Sequence, residues 1–79
     1  MPIKSQVKDA DTGNVVQIEF EPKHTLDDVI KTAVDYFKKE PGAYVLRKEN
    51  KVLRGTATLE SIGALKEEYF DLVLDPEGG

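Results

Sequence analysis

Seventy-nine residues with no cysteine, a single histidine and a formal net charge of −4 describe one small domain, too short for a two-domain enzyme with a cleft between its halves. The missing thiols exclude a disulfide framework, a thiolate metal site and a thiol nucleophile, and His24 alone cannot build a histidine-rich metal cluster. The acidic balance opposes binding along a phosphate backbone, and no apolar run approaches the roughly 18 residues of a membrane span. The opening Met1-Pro2-Ile3-Lys4-Ser5 lacks the apolar stretch of a secretion signal, so a cytoplasmic monomer without nucleic-acid or membrane partners is expected.

From Ile3 to Lys8 the chain alternates, Ile3, Ser5 and Val7 facing one way and Lys4, Gln6 and Lys8 the other, which predicts a strand with Ser5 as the weak position on its buried side. Asp9 to Asn14 is a cluster of turn formers, and a second alternation follows, Val16, Ile18 and Phe20 against Val15, Gln17, Glu19 and Glu21. The two runs predict a hairpin. Pro22 cannot extend the ladder. Leu26, Val29, Ile30, Ala33, Val34 and Phe37 then form the stripe of an amphipathic helix over about residues 26–39, roughly 21 Å long at 1.5 Å per residue. Thr25 is its expected N-cap, accepting from the backbone N–H of Asp28. Asp27 and Asp28 suit the positive end of the helix dipole, Lys38 and Lys39 the negative end, and Glu40-Pro41-Gly42 the stop.

Tyr44 to Lys48 reads as a strand, Glu49-Asn50-Lys51 as a polar turn and Val52-Leu53 as a short return strand. Thr56 to Leu65, with its internal Gly63, suits a loop containing one tight helical turn. Phe70 to Leu74 is a final strand with Phe70, Leu72 and Leu74 inward. The expectation is thus a single domain over residues 1–74 and a mobile tail over residues 75–79, Asp75-Pro76-Glu77-Gly78-Gly79. No residue pair invites a catalytic role. His24 has no partner for a ligand set or a proton relay, while Asp27-Asp28 and Glu67-Glu68 are sequence neighbours that point different ways. No enzyme activity, metal or cofactor is expected. Phe20, Phe37, Tyr44, Tyr69 and Phe70 are assigned to the interior, leaving Tyr36 beside the helix stripe as the exposed aromatic.

The order strand, strand, helix, strand, short strand, turn, strand, ending in Gly-Gly, resembles ubiquitin and its β-grasp relatives nearly end to end. Glu21-Pro22 before the helix, Thr25 at its cap, Thr58-Leu59 opening the late loop, Leu72-Val73-Leu74 in the last strand and Gly78-Gly79 carry the likeness. The resemblance implies an α+β β-grasp fold: a mixed sheet of four to five strands wrapped around one main helix, with the first and last strands parallel and central. It also implies a protein modifier whose Gly79 carboxylate is adenylated by an activating enzyme using ATP, passed as a thioester to a conjugating enzyme and joined to a target lysine by an isopeptide bond. A deconjugating metalloprotease of the JAB/MPN type would reverse the linkage. Gly78 and Gly79 carry no Cβ and so fit a narrow catalytic channel, and five extended residues reach roughly 16 Å from the body.

Departures from the ubiquitin pattern redirect the expected partners. Ubiquitin's tail is basic where this chain has Asp75, Pro76 and Glu77, so a partner whose carboxylates receive arginines would repel it. Where ubiquitin presents an apolar recognition patch, the strand position is Arg47, the turn position is Asp11 and only Val73 is retained. Arg47, Val73 and Lys51 therefore mark the candidate partner-binding surface. Lys51 and Lys66 fall where two of ubiquitin's chain-linkage lysines fall, in a chain where nine of 79 residues are lysine. Two other functions share the fold: a sulfur carrier ending in a thiocarboxylate, and a non-covalent binding module with no terminal chemistry.

Overall fold

The alternation over residues 3–20 folds as an antiparallel hairpin of β1 (Ile3–Asp9) and β2 (Val15–Phe20), with Ile3 opposite Phe20 and Val7 opposite Val16. After it come α1 (Leu26–Phe37), β3 (Tyr44–Lys48), β4 (Lys51–Leu53) and β5 (Glu67–Leu74) in this computed structural model, which describes residues 2–75. The five strands form one sheet in the order β2-β1-β5-β3-β4. β1 and β5 run parallel, Val7 beside Phe70, and every other pairing is antiparallel. This is the mixed α+β arrangement expected from the sequence.

Helix and sheet bury each other. Val29 and Ala33 from α1 meet Ile3, Val7, Val16, Phe20, Leu46, Phe70 and Leu72 in one core. The helix begins with a reciprocal capping box: Thr25 Oγ1 accepts from the Asp28 N–H at 3.1 Å and the Asp28 carboxylate accepts from the Thr25 N–H at 2.9 Å. The hydrogen bonds that the Asp28 carboxylate receives, first from the Thr25 backbone N–H and then from the Thr25 side chain, hold it below its ordinary range. The next orphan donors, the N–H groups of Leu26 and Asp27, find the carbonyls of Ala57 and Gly55 at 3.0 Å. Leu59 N–H returns a bond to the His24 carbonyl, and the Leu59 side chain is fully buried. The segment is the expected loop with one tight helical turn, the Ile62 N–H closing onto the Thr58 carbonyl at 3.2 Å, and it docks against the start of α1.

Several expectations are corrected. The helix ends at Phe37, short of residue 39, in a Schellman motif: Lys38 takes the left-handed conformation (φ 52°), its N–H donates to the Asp35 carbonyl, and Lys39 N–H donates to the Val34 carbonyl. Lys39 accordingly leaves the helix end and pairs with Asp9. The β3–β4 turn contains only Glu49 and Asn50, both at positive φ, as a two-residue hairpin turn requires, so Lys51 belongs to β4. Leu74 is 65% exposed because β5 runs on past the end of the core, and Tyr69 is 60% exposed because its place in the alternation turns it away from α1. Asp75, expected to begin a mobile tail, is buried. Residues 76–79, including Gly78 and Gly79, lie outside the described residues.

Candidate functional site

The face of the sheet turned away from α1 is set by strand alternation. Lys8, Asp71, Arg47 and Val52 lie in one row across four adjacent strands, each opposite the next, with Val15 beyond Lys8. Arg47 Nη2 is 3.4 Å from Asp71 Oδ2, and both side chains are close to half exposed, so the contact orders the row without adding much stability. Val73 stands on the same face, half-buried, opposite a buried Val45. The structure thus brings Arg47 and Val73 together. Lys51 sits at the opposite phase of β4, opposite Lys48, and does not share their face. Tyr69 and Val15 are exposed on it instead and, with Gln6, Lys8, Arg47 and Asp71, line a shallow depression of about 410 Å³.

At one end of that face β5 passes into the terminal segment. Asp75 N–H donates to the Ala43 carbonyl at 2.9 Å, which adds one bond beyond the β3–β5 ladder. Its carboxylate is paired with the guanidinium of Arg54, the residue after β4. Lys66, the second candidate acceptor, is exposed in the turn before β5, its carbonyl accepting from the Lys4 N–H at 2.9 Å. Asp11 is exposed in the hairpin turn, 3.8 Å from Lys39 Nζ.

The other singled-out groups have structural partners. His24 Nδ1 accepts from the Glu21 N–H at 2.8 Å, and its ring meets Phe20 edge to face. Asp27 accepts from the Gly55 N–H. Glu67 is exposed while Glu68 is buried, taking Lys48 and the Leu65 N–H as partners. The described residues contain no His, Cys, Asp or Glu group that could hold a metal ion, and no helix among them is long and apolar enough to cross a membrane. Sequence reasoning missed Arg54, Lys39 and Tyr69. Only the alternation of β5 carried a signal for Tyr69, which the preference for burying aromatics overrode.

No family model matches the sequence, and no curated protein matches it. Solved structures do. The ubiquitin of Caldiarchaeum subterraneum is 26% identical over the whole of both chains with a TM-score of 0.83. The UBL domain of Plasmodium falciparum Dsk2 is 21% identical, with 95% of this chain and all of that one covered and a TM-score of 0.81. A structure described as molecular mimicry of SUMO that promotes DNA repair is 18% identical over 92% of this chain and 91% of its own, with a TM-score of 0.79. Fold, strand order and these likenesses define the class: the chain is a ubiquitin-like β-grasp protein. Within that class it is a modifier or a module.

Proposed function

We propose that the chain is a ubiquitin-like modifier that acts through the carboxylate of Gly79. The observation that carries this reading is the relation of β5 to the terminal sequence. β5 lies between β1 and β3, Asp75 is held against Ala43, and Pro76-Glu77-Gly78-Gly79 follows at once. Four extended residues span at most about 14 Å, so a partner that engages the terminal carboxylate must also meet the end of the domain. The full-length likeness to a ubiquitin supports the same reading.

The chemistry is acyl activation. A carboxylate oxygen of Gly79 attacks the α-phosphorus of ATP, expelling pyrophosphate. A thiolate of the activating enzyme displaces AMP to form a thioester, and after transfer to a conjugating enzyme a target lysine amine displaces the thiol. This chain supplies the acyl group and the docking surface, and the partners supply catalysis. The Arg47–Asp71 row gives that surface a polar character, which favours dedicated partners over receptors built for an apolar patch.

The test is incubation of the full chain with ATP and an activating enzyme of its source organism. The expected product is a covalent adduct that thiol reductant cleaves, lost on deleting Gly79 and sharply reduced by Gly79→Ala. A free chain in which sulfur replaces a terminal oxygen would assign it to sulfur transfer instead. Absence of both products would leave the binding-module function.

A further inference from the structure

The pair formed by Arg54 and Asp75 has no counterpart in the sequence reading, which treated Asp75 as a carboxylate offered to a partner. We propose that Arg54 is a positioning residue for the terminal segment. With the Ala43 carbonyl it clasps Asp75, so that this carboxylate is taken up within the domain rather than offered to a partner.

Three observations converge. Asp75 is the first residue past β5, yet its N–H continues the ladder to Ala43 at 2.9 Å. Its carboxylate is only 3% exposed and meets the Arg54 guanidinium. Arg54 arrives from the far side of β3, directly after β4, so the clasp spans three strands and joins residues 21 apart in sequence. A carboxylate buried to this degree needs a cation or donors, so removing the Arg54 cation weakens the hold on Asp75 and with it the Ala43 bond. Arg54 is itself 49% exposed, so the pair is within reach of solvent and of a docking partner whose own charges could open it.

The clasp stands by itself, whereas its consequence for activation rests on the modifier reading above. Two arms keep them apart. In amide hydrogen exchange on the full chain, the Asp75 N–H should be protected, and Arg54→Ala should speed its exchange about fivefold while the Leu72 N–H, inside the sheet, stays unchanged. In an Asp75→Ala background, which leaves Arg54 no side-chain acceptor at that position, the same Arg54→Ala change should do nothing further, since the two act as one unit. In thioester formation, Arg54→Ala should raise KM severalfold and leave kcat within about twofold, because Gly79 is untouched. An unprotected Asp75 amide in the parent chain, equal exchange in parent and Arg54→Ala, or an effect that persists in the Asp75→Ala background would each overturn the clasp. If the parent forms no thioester, the modifier reading fails and the exchange arm still decides the clasp.

Discussion

Lys39 Nζ lies 3.1 Å from both carboxylate oxygens of Asp9, closing the helix end onto the β1–β2 turn across 30 residues of sequence. The same carboxylate accepts from the Asp11 N–H and the Thr12 hydroxyl, so one buried acid organises the turn and anchors the chain after α1. Burial alone would push the Asp9 carboxyl up. The hydrogen bond from Lys39, those from Asp11 and Thr12 and the Lys39 charge outweigh it and hold the carboxyl below its ordinary value.

A folded-state value below the unfolded one gives stability that is present above the unfolded 3.8 and is lost as pH falls through the depressed folded value. Urea unfolding of the parent and of Asp9→Asn should therefore show a stability gap that is constant from neutral pH down to about pH 4 and closes below it. Lys39 is raised above 10.5, chiefly by its bond to Asp9, so the same gap should also shrink in strong alkali as the ammonium deprotonates. A gap that does not vary with pH would contradict the assignment.

Ser5 is fully buried between Ile18 and Glu68 in the register, and its Oγ has no hydrogen-bond partner. Ser5→Ala removes an unpaired hydroxyl for little volume, so it should stabilise the domain by about 1 kcal/mol. The check is a higher urea midpoint with an unchanged slope; a lower midpoint would show that the hydroxyl is bonded.

Lys38 occupies the left-handed position of the Schellman motif with a side chain that disfavours it. Lys38→Gly should raise stability by about 0.5–1 kcal/mol, the relief of backbone strain exceeding the entropy that glycine adds to the unfolded chain. Lys38→Ala, which retains a Cβ, should gain much less, so thermal unfolding of the two variants separates backbone strain from loss of charge.

Leu59 lies outside every strand and helix yet reaches the core between turns tied to the start of α1. Leu59→Ala should cost about 2–5 kcal/mol, a large part of what a small domain has. The N–H groups of Leu26 and Asp27, bonded to Ala57 and Gly55, should lose exchange protection before those of β1 do. Equal loss in both places would mean that the loop does not brace the helix start.

The helix stripe, the Thr25 cap and the alternation of β1 and β2 were legible because each is a local periodicity: neighbours three, four or two residues apart share a face whatever the rest of the chain does. Even there the sequence overshot. It ran the helix to residue 39 because Lys38 and Lys39 suit a helix end, whereas Lys39 had a stronger use on Asp9. Of the candidate partner-binding residues, Arg47 and Val73 share a face, while Lys51, one residue out of phase, does not.

The amino-acid sequence alone determined the elements, their apolar faces, the acidic cysteine-free character and the Gly78-Gly79 ending, since composition and short-range spacing need no partner. Tertiary structure alone decided that Asp9 takes Lys39, that Arg54 takes Asp75 and that Leu74 stays exposed. Those outcomes depend on which strands become neighbours and in which register, and charges 21 or 30 residues apart meet only after the helix and sheet have closed on each other.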